Sequence, residues 1–383
     1  MKSNYKKLRD LIDLVKIKNK DGKVSKLLGI NIDKFFMPSV ANVIGTDLTV
    51  YRIVSKGQFA CNRMHVGRDY RIPISLSTYE EDFMVSPAYD VFEIKNTDEL
   101  LPEYLMMWFS RKEFDRNAWF YTDADVRGGL PWSSFCEIEL PVPSPEKQQE
   151  IVSEFKIIQN RIKLNENLCQ KLDETAQAIY KRWFVEFEFP NENGLPYKSS
   201  GGEMIESELG EIPKGWETVC LNEMIEVKYG KDYKHLSEGN IPLYGSGGVM
   251  SYVNQFLYDK PSILIPRKGS LNNILFLTKP FWSVDTMFYS IFKKECNGCY
   301  VFHFLTALDF TVLNVGSAVP SMTTEYLNNM QIIKPDEYLL IEFENLIHNL
   351  FSQIDFKKNQ NEKLNEFLQV LLAKMTKVEI LID

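Results

Sequence analysis

Basic side chains are concentrated in one short stretch of the first third of the chain. From position 52 to position 71, five basic residues stand against a single acid, Asp69. Lysine and arginine contact phosphates, and with asparagine they can also reach base edges. The stretch has the composition of a nucleic-acid contact surface, although a solvated face explains any single residue equally well. The candidates are Arg52, Lys56, Asn62, Arg63, His65, Arg68 and Arg71.

A second group of candidates lies between positions 228 and 270. Arg267 and Lys268 follow the apolar run 263–265, and Gly269 would let the backbone approach a phosphate closely. An ordinary charged surface turn is the alternative explanation. The candidates here are Lys231, Lys234, Tyr244, Ser246, Arg267, Lys268 and Gly269.

No group of residues has a pattern typical of catalysis. The sequence has no Asn-Pro-Pro-aromatic run of amino-methyltransferases and no G-x-x-x-x-G-K-[ST] phosphate loop. The four histidines lack metal-ligand spacing, and Cys296 and Cys299 form a lone CxxC without a second ligand pair. We therefore expect no enzyme activity, no cofactor and no metal.

Composition limits the classes of protein to which the chain can belong. A chain of 383 residues suits two or more domains, and 44% apolar residues indicate a globular protein. A net charge of −8 argues against a stand-alone non-specific nucleic-acid binder and suggests that a partner neutralises part of the phosphate charge. The sequence has neither a membrane-length apolar run nor a signal-peptide region, so we expect a cytoplasmic protein.

The elements that must position these candidates are duplicated. Apolar residues recur at alternating spacings of four and three from position 151 to 183, and adding 192 gives an equivalent series from 343 to 375. The polar interruptions, Asn165/Lys357 and Cys169/Asn361, fall at adjacent places in both copies. This period predicts long helices that pair as a coiled coil, in which polar positions fix the register. Packing of each helix on its own domain is the alternative.

The repeat also predicts the domain organisation. The fold class is α+β, with two mixed α/β domains in tandem separated by two long helices that form an antiparallel coiled coil. We predict a first domain at 1–143, a helix at 144–186, a linker at 187–210, a second domain at 211–335 and a second helix at 336–378. Ser144 is the predicted cap of the first helix, and strands are predicted at 49–54, 83–85, 90–94, 241–244, 262–265 and 287–292.

This geometry has a consequence for function. Antiparallel helices would place the two heads at opposite ends, related by a pseudo-two-fold axis, and such symmetry matches a duplex with two half-sites. Because the heads differ in sequence, the half-sites should differ too. A scaffold whose heads bind proteins, and a fused methyltransferase, are the alternatives.

The residues of the repeat resemble the specificity subunits of type I restriction–modification systems over essentially the whole chain. The resemblance is carried by an ordered set of segments: 140–143 (LPVP), 149–152 (QEIV), 161–165 (RIKLN), 176–184 (AQAIYKRWF), 187–190 (FEFP), 206–210 (ESELG) and 212–216 (IPKGW). In the second head, 244–248 (YGSGG) and 267–270 (RKGS) look like turns of one class of target-recognition domain.

The resemblance implies two target-recognition domains that each read half of a split double-stranded DNA target. It also implies that the helices set the unspecified spacer and dock two adenine methyltransferase subunits, and that a restriction and motor subunit joins them. The subunit itself would carry no catalytic centre. Arg182, Trp183 and Phe184, at the end of the first helix, are candidates for the partner surface, with core packing equally consistent for Trp183.

Overall fold

The chain divides into two compact units, each containing part of both long helices. The computed structural model describes residues 5–39, 45–64, 66–122, 128–310 and 322–375. Unit 1 consists of Met1–Asn165 and Asn359–Asp383, and unit 2 consists of Glu166–Lys358. The beginning of the first long helix thus shares a unit with the end of the second.

In its described residues, unit 1 is built on short strands and five short helices. The strands are β1 (Tyr5–Lys7), β2 (Ile12–Val15), β3 (Leu28–Ile30), β4 (Phe36–Pro38), β5 (Arg52–Val54), β6 (Phe59–Cys61), β7 (Ile74–Leu76), β8 (Phe83–Val85), β9 (Asp90–Ile94) and β10 (Glu139–Pro141). The helices are α1 (Leu8–Leu11), α2 (Val66–Asp69), α3 (Pro102–Phe109), α4 (Lys112–Phe120) and α5 (Trp132–Glu137).

The centre of unit 1 is an antiparallel sheet in the order β2-β9-β6-β7. Phe59 of β6 stacks on Phe92 of β9 at 5.1 Å, and Phe109 of α3 meets Phe59 edge-on at 5.8 Å. Aromatic residues in strands pack well on a half-covered sheet, and these three rings are fully buried. The core lies between this sheet and α3.

Two long helices follow the mixed regions. The first, α6, spans Pro145–Tyr180 and continues into a π-helical turn, Lys181–Val185. Ser144 caps it, since its Oγ accepts a bond from Lys147 N at 3.4 Å. The second long helix, α9, spans Glu337–Lys374.

Unit 2 contains strands β11 (Met204–Ser207), β12 (Gly210–Pro213), β13 (Glu217–Cys220), β14 (Ile225–Tyr229), β15 (Glu238–Gly245), β16 (Gly248–Val253), β17 (Ser262–Pro266), β18 (Leu275–Leu277), β19 (Trp282–Ser283), β20 (Met287–Phe292) and β21 (Gln331–Lys334). Its short helices are α7 (Gly298–Thr306) and α8 (Thr324–Asn328).

The two units share one internal plan. The sheet of unit 2 has the order β14-β20-β17-β18, which matches β2-β9-β6-β7, and β13–β21 matches the β1–β10 pair. Tyr104 Oη donates to Pro141 O at 3.2 Å, and its equivalent Tyr300 donates to the carbonyl of Ile333, 192 residues after Pro141. The duplication read from the helices therefore extends through both mixed domains.

The long helices pair in antiparallel fashion. In unit 2, Cys169 Sγ donates to Ile354 O at 3.7 Å, and the rings of Tyr180 and Phe343 are 6.4 Å apart. Residues later in α6 therefore contact residues earlier in α9. In unit 1 the start of α6 shares a core with residues 368–375 at the end of α9 and just beyond it, which agrees with that direction.

A pair of asparagines sets the register inside unit 1. Asn165 is fully buried, and its Nδ2 donates to Asn361 Oδ1 at 2.7 Å and to Gln360 Oε1 at 2.9 Å. Asn361 Nδ2 donates in turn to Ile162 O at 3.2 Å. This last contact repeats Cys169 to Ile354 with the 192-residue offset applied to both partners. Such polar contacts disfavour shifted pairings.

Most predicted elements are present, with local differences. β8, β9 and β20 have the predicted bounds. The predicted strand at 49–54 is a 3-10 turn (Leu48–Val50) followed by β5. Lys357 and Asn361 are both half-buried, and in the described part of the chain Asn361 is the one of the two whose side chain is hydrogen-bonded to the first helix.

Candidate nucleic-acid interface

One carboxylate, that of Asp90, contacts two of the arginines in the first basic cluster. Asp90, at the start of β9, accepts a bond from Arg63 Nε at 2.7 Å, and its other oxygen lies 3.4 Å from Arg52 Nη1. Arg63 also donates to the carbonyl of Leu130, and its guanidinium lies 5.4 Å from the centre of the Trp132 ring. Side-chain exposures of 18% for Arg63 and 23% for Arg52 agree with an internal role. Among the candidates, Arg52 and Arg63 are therefore the two whose guanidinium groups are bound to other groups inside the fold.

The other basic candidates of unit 1 are more exposed. Lys56 pairs with Glu80 at 2.5 Å, and Arg68 makes a two-point contact with its neighbour Asp69. Arg71 is 2.9 Å from Asp33 and 3.8 Å from the buried Asp115. Pairs at the surface are weak and can be exchanged for a phosphate at little cost.

Two further candidates of unit 1 adjoin α2. Asn62 follows β6, and its Oδ1 accepts a bond from Met64 N at 3.1 Å, forming a local turn. His65 lies outside the described residues.

In unit 2 an arginine occupies the same place in the fold. Arg63 O accepts a bond from Leu130 N at 2.9 Å, and Arg267 O accepts one from Met322 N at 2.8 Å. Leu130 and Met322 are 192 residues apart, so the two arginines are equivalent, each following the strand at the same position of its sheet. Their backbone setting is the same.

The side chain of Arg267 has different surroundings. Its Nη1 donates to Asp285 O at 3.3 Å, and the guanidinium lies 5.5 Å from the centre of the Tyr229 ring. In the part of the chain that the structure describes, no carboxylate forms an ion pair with it. Arg267 therefore keeps an unneutralised charge at the position where Arg63 is neutralised by Asp90.

Two glycine-containing turns of unit 2 lie against each other at this point. Gly269 has a φ of +85°, and a Cβ placed there would lie 2.8 Å from Ser246 Oγ. Asn273 Nδ2 donates to Ser246 O at 2.8 Å and holds the first turn in place. The structure thus brings together Ser246, Arg267, Lys268 and Gly269, with Lys268 exposed. Sequence reasoning missed Asn273, Asp90 and Tyr229, because polar and aromatic residues of these types are common.

The remaining candidates of unit 2 lie within fourteen residues of one another in the sequence but differ in burial. Lys231 and Lys234 are exposed, and Trp282 Nε1 donates to Lys231 O at 3.1 Å. Tyr244 is half-buried on β15, with its ring 6.5 Å from that of Phe281, and burial raises the pKa of its hydroxyl. Tyr244 is thus partly a packing residue.

The predicted partner surface at the end of α6 is only partly exposed. Phe184 is 4% exposed and packs edge-on against Tyr300 and Phe343 at 4.7 and 4.9 Å. Trp183 is half-buried beside the same Phe343, and Arg182 is exposed. The expectation for Phe184 is corrected, because its ring belongs to the core of unit 2.

Cysteine and histidine residues show no shared site. Across the described ranges, no three metal-ligating side chains lie close enough to hold an ion. Burial raises the pKa of the Cys61 and Cys299 thiols, so both stay protonated. Within those same ranges, no helix is both long enough and apolar enough to cross a bilayer.

Comparisons with known proteins agree with the architecture. Residues 213–366 match the family described as type I restriction modification DNA specificity domain. The chain is 24% identical over 322 residues to the type I restriction enzyme MjaIX specificity subunit of Methanocaldococcus jannaschii, covering 75% of this chain and 71% of the relative. It is 20% identical over 445 residues to the HindI specificity subunit of Haemophilus influenzae, covering 91% and 92%.

A solved structure has a similar fold. The type I restriction–modification S subunit from M. genitalium superposes with a TM-score of 0.57 at 14% identity, covering 97% of this chain and 95% of that one. With the sequence matches, this confirms the resemblance drawn from the motifs. The chain is thus similar to the specificity subunits of type I restriction–modification systems, and its residues 213–366 match the DNA specificity domain of that family.

Proposed function

We propose that this chain is the DNA sequence-specificity subunit of a type I restriction–modification assembly, and that it recognises a bipartite, asymmetric double-stranded target. One observation carries the proposal. The two units repeat the same sheet, with an arginine at the same strand end, but surround that arginine differently. A repeated scaffold with altered contact residues is what two unlike half-sites require.

The proposal divides the chain into functional parts. Residues 1–143 and 211–335 would be the target-recognition domains, 144–186 and 336–378 the spacer helices, and 187–210 a linker. The helices would set the gap between half-sites and dock two adenine methyltransferase subunits, with a restriction and motor subunit joining them in the cytoplasm. Arg182 remains the proposed partner contact at the end of α6, with Trp183 beside it. The chain itself would contribute recognition and no catalysis.

The geometry reduces the set of residues that we propose to contact DNA. In unit 2 we assign the contact to Arg267, Lys268, Gly269 and Ser246, because they lie together around two turns with unneutralised charge. Lys231 and Lys234 would contact phosphates. In unit 1 we favour Lys56, Arg68 and Arg71, whose side chains are exposed, together with the half-buried Asn62. His65 is kept as a prediction. Arg52 and Arg63 would act by holding the contact loop in position.

A map of methylated adenine tests the proposal. The chain is expressed with its proposed methyltransferase partner in a host without adenine methylation, and the genome is sequenced for modified adenine. We expect a split motif with a fixed gap that is present only when both proteins are expressed. A stable complex with an active methyltransferase but no new motif would refute the proposal and favour a scaffold that binds proteins.

A further inference from the structure

A cleft of about 930 Å³ opens on unit 1 beside α3 and α4. Its inner part is formed by Trp108, Arg111 and Phe114, which are 5%, 4% and 1% exposed. Its rim includes Phe120 and Tyr121, which are 78% and 44% exposed. None of these residues is among the candidates for DNA contact.

Two residues that line this cleft carry buried hydrogen-bond donors without an acceptor in the described part of the chain. These donors are Arg111 Nε and Trp108 Nε1, and no described residue accepts a hydrogen bond from either. The guanidinium of Arg111 stacks on the Trp108 ring, 4.2 Å from its centre, so the two donors are neighbours. Buried donors are almost always paired, and two orphans side by side point to an acceptor that binds there.

The charge of Arg111 is also incompletely balanced. Within the described part of the chain, its one carboxylate partner is Glu113, at 3.5 Å from Nη2. That carboxylate is half-exposed and lies equally close to the exposed Arg116. A buried guanidinium normally has a close, two-point carboxylate partner. Here the contact with Glu113 is long, at 3.5 Å, and Glu113 is shared with Arg116.

The residues that form the inner part of the cleft are not required by the repeated fold. Tyr104 and Tyr300 are equivalent, as their matching hydrogen bonds show. Four and seven residues after Tyr104 stand Trp108 and Arg111, whereas the same steps after Tyr300 lead to Phe304 and Ala307. The shared sheet and helices form without the arginine, so its burial has a local purpose.

We propose that this cleft binds a monocarboxylate attached to an apolar body. The planar guanidinium and the indole N–H would both donate to the carboxylate, and the aromatic walls would cover the apolar part. A nucleic-acid strand, which carries one negative charge per phosphate, is disfavoured because Glu113, Glu137 and Glu139 also line the cleft and repel each added charge, whereas a monocarboxylate adds a single charge. The carboxylate can belong to a free small molecule or to an acidic side chain of a partner polypeptide.

Ligand titration of the full chain tests the site independently of the DNA role. The probes are phenylacetate and its neutral isostere phenylacetamide, together with N-acetyl-Glu-Phe-amide and its Gln counterpart, each followed by calorimetry. We expect the carboxylates to bind and the neutral amides to bind at least about tenfold more weakly. A peptide that binds tighter than phenylacetate identifies a partner polypeptide as the source, and the reverse order identifies a free small molecule.

Variants connect the binding to the cleft. Arg111→Met should weaken carboxylate binding by about tenfold or more, whereas Arg116→Met, which removes the exposed arginine beside the same glutamate, should change it less than about twofold. Trp108→Phe removes the second donor, should also weaken binding, and serves if Arg111→Met does not fold. Equal affinity for acid and amide, unchanged binding in both cleft variants, or no binding of any carboxylate would overturn the proposal.

Discussion

The equivalence of Arg63 and Arg267 predicts that one substitution, arginine to alanine, has opposite consequences in the two units. In unit 1 it removes a guanidinium that contacts Asp90 through Nε at 2.7 Å and through Nη2 at 2.5 Å. In unit 2 it removes a guanidinium whose described contacts are a 3.3 Å bond to a carbonyl and a ring at 5.5 Å. Arg63→Ala should therefore affect folding, and Arg267→Ala should affect DNA recognition.

The magnitudes follow from what each variant leaves behind. The Asp90 side chain is 14% exposed, and without Arg63 its remaining partner is Arg52 at 3.4 Å. Hydrogen bonds to charged groups are worth about 1.5–3 kcal/mol, so Arg63→Ala should lower the free energy of unfolding of unit 1 by about 2–3 kcal/mol. Arg267→Ala should lower that of unit 2 by less than about 1 kcal/mol, but should weaken DNA binding by ~1–3 kcal/mol.

Two measurements separate these effects. Hydrogen exchange on the full chain, resolved by peptide, reports the stability of each unit, and fluorescence anisotropy at fixed salt reports affinity for the mapped target. Arg267→Ala, alone or with Lys268→Ala, should relax discrimination at one half-site. Lys260→Ala is the matched control, since this exposed lysine precedes β17 whereas Arg267 follows it. Unchanged exchange in Arg63→Ala, or unchanged affinity in Arg267→Ala, would refute the assignment concerned.

Three further predictions concern the spacer, the contact turn and a buried histidine. Deleting seven residues from each long helix at equivalent positions removes about 10 Å of helix and should shorten the methylated gap by about three base pairs, and an unchanged gap would contradict the spacer role. Gly269→Ala forces a Cβ to 2.8 Å from Ser246 Oγ at a φ of +85°, so it should weaken DNA binding, whereas Gly247→Ala, with nothing within 4 Å, should not. Equal loss in both glycine variants would argue against this strained contact. His303 is 2% exposed, and burial lowers its pKa to about 4. Because the unfolded chain takes up the proton near pH 6.5, stability of unit 2 should fall as pH drops from 6.5 towards 4, by about 2 kcal/mol at pH 5. Urea unfolding at pH 7 and pH 5 measures this loss, which His303→Leu should abolish.

The antiparallel helix pair was predictable because its information is local and repeated. A period of four and three over more than thirty residues specifies one apolar face per helix, and the 192-residue offset places the polar interruptions in both copies. Strands such as β9 and β20 were predictable for a similar reason, since short aromatic and β-branched runs fit a covered sheet. Both patterns depend only on residues that are close together along the chain.

The use of each basic residue was not predictable in the same way. Arg63 meets Asp90 across 27 residues of sequence, and Ser246 meets Gly269 across two turns. Phe184 was predicted, with Arg182 and Trp183, as part of a partner surface at the end of the first helix. Only the arrangement of Tyr300 and Phe343 around Phe184 decides that its ring belongs to the core. A charge is neutralised or free according to which distant group the fold brings within a few ångströms.

The sequence by itself thus determined the duplication, the paired helices and the two mixed domains, because periodicity and apolar patterning act through neighbours along the chain. The tertiary structure alone decided that Arg63 contacts Asp90 while Arg267 contacts a carbonyl, and that Arg111 is buried beside Trp108 with Glu113 3.5 Å away. Electrostatic interactions depend on distance and burial in space, which residue type and spacing do not specify.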